Sequence, residues 1–100
     1  EQYTYGVPVS INYRLSKKTT ETYDVTIFVD DVIIKTEQRT VGNYFWTATS
    51  ANGLTIGNHT IKIQVESQDK SEIKIIEITL EIIKGVYIPI EDIVMDLYVT

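Results

Sequence analysis

A chain of 100 residues with 43% hydrophobic residues is long enough to bury one core, and the absence of cysteine excludes disulfides and thiolate metal ligands. A net charge of −5 with only nine basic residues disfavours a nucleic-acid partner, and no apolar run is long enough for insertion into a membrane. Isoleucine, valine and threonine supply 39 residues, whereas alanine and leucine supply six, so we predict a single all-β domain without cofactors.

Alternation of apolar and polar residues predicts the strands of the first half of the chain. Residues 2–5 are a candidate short strand, and 7–15 carry apolar side chains at every second position. Residues 23–30 form the next predicted strand, and the acidic pair that separates it from 32–37 indicates a tight hairpin. A calcium ion bound by this acidic pair is the alternative, but the spaced pattern of a calcium-binding loop is missing, which favours turn chemistry.

The second half of the chain contains three further predicted strands. Residues 44–49 hold the aromatic centre, 59–67 alternate regularly, and 71–83 form a long last strand. The apolar phase changes within that last strand, and we therefore expect a β-bulge near Ile75 and Ile76. Short strands with one apolar face predict a two-sheet antiparallel β-sandwich, with a small barrel as the alternative.

Three segments resemble a known family of modules. They are GVPVSI at 6–11, the hairpin YDVTIFVDDV at 23–32 and LTIGNHTIKI at 54–63. Together they are similar to the immunoglobulin-like and fibronectin type III-like modules of bacterial surface proteins and bacteriophage structural proteins. The resemblance implies an immunoglobulin-like antiparallel β-sandwich of about seven strands in residues 1–84, used as a noncatalytic spacer or adhesive module of a larger protein at the cell surface or in the virion.

The third of these segments contains the only histidine of the chain. The resemblance implies that this passage crosses from one sheet to the other, with Leu54, Gly57 and His59 as a structural corner. Catalysis by His59 is the alternative, but no nucleophile or acid stands at a spacing typical of a catalytic arrangement. We therefore interpret His59 as a residue that packs against the turn and bonds to nearby backbone, and we expect no enzymatic activity.

Exposed aromatic residues suggest a second function, binding of a cell-surface glycan. Tyr44 and Phe28 are the candidates for stacking against a sugar ring. Phe28 is of interest because alternation directs it away from the core-facing Val25 and Ile27. We expect Trp46 to be a core residue, since the single tryptophan of a sandwich usually fills its centre.

The C-terminal segment 85–100 is too apolar for a solvated linker. Part of it has helical spacing, whereas 97–99 favour a strand. We interpret it as an extension into a following domain, or as a surface that pairs with a neighbouring domain or another protein chain. The candidate contact residues are Tyr87, Ile88, Ile90, Ile93 and Leu97.

Overall fold

The computed structural model describes residues 2–4, 10–16, 21–42, 45–50, 53–84 and 93–99. Within these ranges the regular backbone is all strand, as the β-branched composition predicts. The strands are β1 (Gln2–Thr4), β2 (Ser10–Ser16), β3 (Thr22–Val29), β4 (Val32–Thr40), β5 (Trp46–Ser50), β6 (Gly57–Ser67), β7 (Ile73–Ile83) and β8 (Ile93–Tyr98).

The strands form two sheets, which confirms the predicted β-sandwich. One sheet has five strands in the order β1-β7-β6-β3-β4, and the other has three in the order β5-β2-β8. Consecutive strands joined by tight turns, such as β3–β4 and β6–β7, pair antiparallel. Two pairs are parallel, β1 with β7 and β2 with β8, which departs from the purely antiparallel prediction. Neither pair is joined by a hairpin, so nothing forces its strands to run in opposite directions.

Alternate side chains of the central strands meet between the sheets and form the core. The three-stranded sheet contributes one inward row from β2 and one from β8, and the five-stranded sheet contributes rows from β3, β6 and β7. Their fully or almost fully buried members are Ile11, Tyr13, Leu15, Tyr23, Val25, Ile27, Ile61, Ile63, Val65, Leu80, Ile82, Met95 and Leu97. Because burial of one such aliphatic side chain contributes about 1.5–3 kcal/mol, these rows supply the main driving force for folding.

The bulge predicted near Ile75 and Ile76 is wrong. Strands β6 and β7 pair in one unbroken register from Gly57↔Ile82 to Glu66↔Ile73. The apolar phase changes because Ile73 and Ile75 lie on the outer face, 52% and 56% exposed, while Ile76 lies on the inner face. Register shifts occur instead in β3–β4, between Ile27 and Phe28, and in β2–β5.

The C-terminal segment supplies the eighth strand. Residues 93–98 pair with β2, so the helical alternative for this part of the segment is wrong. Leu97 is 3% exposed and lies in the core of the chain itself, which removes it from the predicted partner surface. Ile93 begins β8, whereas Tyr87, Ile88 and Ile90 lie outside the described residues.

Candidate functional site

The turn between β3 and β4 is built from two consecutive aspartates. Asp30 has φ 51° and Asp31 has φ 65°, the left-handed conformation that a type I′ hairpin turn requires at both central positions. Aspartate tolerates this conformation better than most residues. The Asp30 backbone N–H donates to the Thr60 carbonyl, and the Thr60 N–H donates to Asp30 Oδ1, both at 2.9 Å. The turn is therefore fixed to β6 by two hydrogen bonds.

The ring of His59 joins three parts of the chain. Its Nδ1 lies 2.6 Å from Asp30 Oδ2, and its Nε2 lies 2.7 Å from the carbonyl oxygen of Thr55. A carboxylate and a carbonyl both accept hydrogen bonds, so both ring nitrogens must carry a proton for the two bonds to form together. This geometry selects the imidazolium form of His59, whose side chain is only 11% exposed.

The ionisation of the pair follows from this geometry. The hydrogen bond to Asp30 raises the pKa of His59 above its ordinary value, and the bond to the Thr55 carbonyl acts in the same direction, against the opposing effect of burial. The hydrogen bond from His59, followed by the bond from the Thr60 backbone, lowers the pKa of Asp30. Each group therefore stabilises the charged form of the other.

The other two predicted corner residues lie at the same end of β6. Gly57 begins that strand with φ +126°, a conformation that side-chain-bearing residues rarely adopt. Leu54 is partly buried and packs against the core. The segment between them carries the Thr55 carbonyl to the imidazole, so the structure places the three predicted corner residues around one turn.

Of the two candidate stacking residues, the structure describes only Phe28. Phe28 is partly buried on the outer face of the five-stranded sheet, where Lys62 Nζ lies 4.3 Å from its ring centroid. Tyr44 lies outside the described residues.

Trp46 is partly buried, with its ring centroid 5.5 Å from that of Tyr13, and the Arg39 guanidinium carbon is 5.3 Å from its ring centroid. Trp46 therefore packs against the edge of the core, with the Arg39 guanidinium over its ring.

A charged cluster on the inner side of β4 has no counterpart in the sequence predictions. Lys35, Glu37 and Arg39 stand opposite Ile27, Val25 and Tyr23 of β3, on the side that faces the other sheet. Their period-two spacing, in phase with the core positions of β3, is the signal from which this cluster could have been found.

The contacts of this cluster join the two sheets at one edge of the sandwich. Glu37 is 11% exposed and forms ion pairs with Lys35 at 3.3 Å and with Arg39. Lys35 Nζ donates to the Thr47 carbonyl at 2.9 Å, and Arg39 Nε donates to the Tyr13 hydroxyl at 3.3 Å. Burial raises the pKa of Tyr13 to about 12, so this hydroxyl stays neutral. Inward charges on an edge strand also disfavour pairing with another chain.

The outer face of the three-stranded sheet carries a second polar arrangement. Arg14 of β2 forms an ion pair with Asp96 of β8, and Ser16 Oγ donates to the same carboxylate at 2.8 Å. The Arg14 guanidinium carbon lies 5.0 Å from the ring centroid of Phe45, which is 52% exposed. Tyr98, 63% exposed, follows Asp96 on the same face of β8. The hydrogen bond to Arg14 lowers the pKa of Asp96, so the pair is ionised at neutral pH.

The described residues contain no group of three or more histidine, aspartate or glutamate side chains arranged to hold a metal ion. The same part of the chain contains no helix long and apolar enough to cross a membrane. Comparison with protein-family models, with curated proteins and with solved structures finds no match.

Proposed function

We propose that this chain is a noncatalytic, immunoglobulin-like spacer and interaction module of a larger bacterial surface protein or phage structural protein. The proposal rests on one feature of the fold, the parallel pairing of β2, near the start of the chain, with β8, near its end. That pairing determines how the module responds when its two ends are pulled apart.

A force applied to the two ends loads two parallel pairs in shear, the three-residue β1–β7 pair and the longer β2–β8 pair. Because the strands are parallel, tension pulls β2 toward its first residue and β8 toward its last, in opposite directions along the same axis. Six registered residue pairs, from Ile11↔Ile93 to Ser16↔Tyr98, then resist sliding together. An antiparallel hairpin pulled from its open end instead loses its hydrogen bonds one after another.

Side chains add to this connection. Asp96 of β8 accepts from both Arg14 and Ser16 of β2, and the Val99 N–H donates to the Ser16 carbonyl at 3.0 Å. On the inner face, Met95 and Leu97 are buried against the core, so sliding of β8 exposes apolar surface. The described residues extend 46 × 25 × 17 Å, an elongated shape that suits a spacer.

The side chain most suited to chemistry, His59, is engaged in internal contacts. Both ring nitrogens of His59 are hydrogen-bonded to Asp30 and to the Thr55 backbone. This supports a structural use of the only histidine and favours a mechanical function over a catalytic one.

Single-molecule pulling tests the proposal. The chain contains no cysteine, so engineered cysteines are unique attachment points. We expect attachment at the two ends of the chain to require about twice the unfolding force, or more, of attachment through Thr22→Cys and Thr40→Cys, which form a registered pair at the open end of the β3–β4 hairpin. An equal or lower force for the terminal attachment contradicts the proposal.

A pair of variants sharpens this experiment. Asp96→Ala removes the side-chain connection between β8 and β2 and should lower the unfolding force only for the terminal attachment. Glu77→Ala, at an exposed position of β7, is the matched control and should change neither force. A similar decrease in both attachment geometries for Asp96→Ala would indicate a general loss of stability, with no specific role in resisting shear.

A further inference from the structure

Two exposed aromatic rings flank a fixed set of polar groups on the outer face of the three-stranded sheet. We call this set the outer strip, and it consists of Phe45, Arg14, Ser16, Asp96 and Tyr98. The rings are 52% and 63% exposed, and the Arg14 and Asp96 side chains keep 34% and 43% of their surface accessible. The strip therefore offers both apolar ring surface and hydrogen-bonding groups to a ligand.

The polar groups of the outer strip are held in place by one another. Arg14 contacts the Phe45 ring on one side and the Asp96 carboxylate on the other, while Ser16 donates to the second oxygen of that carboxylate. All three sit on paired strands, in the register Arg14↔Asp96 and Ser16↔Tyr98. A ligand that binds here does not need to order these side chains, which lowers the entropic cost of binding.

We propose that the outer strip binds a neutral oligosaccharide. A sugar ring presents an apolar C–H face that stacks on an aromatic ring, and its hydroxyl groups both donate and accept hydrogen bonds. Asp96 supplies acceptors and Arg14 supplies donors between the two rings. This inference does not rest on the proposed spacer function, because the strip lies on the outer face of the sheet and requires no tension across the module.

Charge and spacing favour this ligand over others. Arg14 and Asp96 neutralise each other, and the chain has a net charge of −5, so an anionic glycan gains no net attraction. Tyr98 ends β8 and Phe45 immediately precedes β5, so the two residues lie on either side of β2, separated by two interstrand spacings of about 4.8 Å each, or about 10 Å. A short oligosaccharide can contact both rings while its central hydroxyls reach Arg14 and Asp96.

Asn12 and Thr47 extend the polar surface beyond the strip. Thr47 Oγ1 donates to Asn12 Oδ1 at 3.2 Å, and Asn12 precedes Arg14 by two residues on the same face of β2. The outward side chains of β2 are Ser10, Asn12, Arg14 and Ser16, all capable of hydrogen bonding, with Tyr98 at the end of β8 and Phe45 next to the start of β5.

The experiment titrates the isotopically labelled whole chain with cellotetraose, chitotetraose, maltotetraose and mannotetraose, with sialyllactose as an acidic comparison, and follows backbone amide shifts by NMR. We expect saturable binding of at least one neutral probe with Kd below about 1 mM, and shifts that map to β2, β5 and β8. Absence of saturation for all four neutral probes, preferential binding of sialyllactose, or shifts confined to the five-stranded sheet would overturn the proposal.

Variants separate the site from fold stability. Phe45→Ala and Tyr98→Ala should each weaken binding about tenfold without lowering Tm, because both side chains are largely exposed. Ile75→Ala, on the outer face of the other sheet, is the control and should leave Kd unchanged. Equal weakening by Ile75→Ala, or concentration-dependent dimerisation through the strip in sedimentation velocity, would also overturn the proposal.

Discussion

His59 Nδ1 lies 2.6 Å from Asp30 Oδ2, and this contact joins β6 to the β3–β4 turn across 29 positions of the sequence. On the other side of the same imidazole, Nε2 donates to the Thr55 carbonyl oxygen at 2.7 Å. One charged ring therefore connects a hairpin turn, the start of a central strand and the loop that precedes it.

The first prediction concerns pH. The pKa of His59 is raised above its ordinary value of 6.5, so its stabilisation is complete below pH 6.5 and is lost as the pH rises through the raised pKa. The pKa of Asp30 is lowered below its ordinary value of 3.8, so its contribution is complete above pH 3.8 and is lost as the pH falls through the lowered pKa. We therefore expect this pair to stabilise the fold most between pH 3.8 and 6.5.

Denaturant unfolding measured from below pH 3.8 to above pH 6.5, with His59→Gln as the reference, measures the effect. The difference in free energy of unfolding between the two proteins should be about 1 kcal/mol within the window, since Asp30 is 47% exposed, and should shrink on both sides. A difference that does not change with pH would contradict the assignment of an imidazolium.

A second prediction separates the two turn aspartates. Asp31→Gly should stabilise the chain by about 0.5–1 kcal/mol, because glycine adopts positive φ without steric cost and the Asp31 side chain is 87% exposed. Asp30→Gly should destabilise it by about 1–2 kcal/mol, because it removes the acceptors for His59 and for the Thr60 N–H. Thermal unfolding of both variants tests this, and a loss of stability for Asp31→Gly would argue against the left-handed turn.

A third prediction concerns the inward charges of β4. Glu37→Ala should cost about 1–3 kcal/mol, because it leaves Lys35 and Arg39 without their shared carboxylate at a mostly buried position. Replacing all three charges by valine should keep the monomer folded but promote association through the β4 edge, measured by sedimentation velocity at increasing concentration. A triple variant that stays monomeric would show that these charges do not protect the edge.

A fourth prediction tests whether β8 belongs to the core of the chain. Leu97→Ala should lower the free energy of unfolding by about 2–4 kcal/mol, because Leu97 is 3% exposed. Val94→Ala, at a position that is 50% exposed on the same strand, is the matched control and should cost less than about 0.5–1 kcal/mol. Similar small effects for both variants would mean that β8 does not pack against the core in solution.

Much of the secondary structure follows from local sequence. Alternation around Ile61 and Ile63 and around Val25 and Ile27 predicts the strands and their buried faces, and the acidic pair after Val29 predicts the hairpin. Each of these patterns is complete within one segment. The bulge expected near Ile75 is wrong because an apolar residue on the outer face looks the same in sequence as a change of register.

The contacts that form the candidate site could not be predicted from local sequence. The composition and alternation of this chain determined an all-β sandwich, the approximate positions of β1 to β7 and most of the core that those strands supply, because strand period acts over neighbouring residues. Only the tertiary structure decided that β8 pairs parallel with β2, that His59 meets Asp30 as an imidazolium, and that Phe45, Arg14 and Asp96 share one outer face. These contacts join residues far apart in the chain, and the pairing of sheets that brings them together is set by the packing of the whole core.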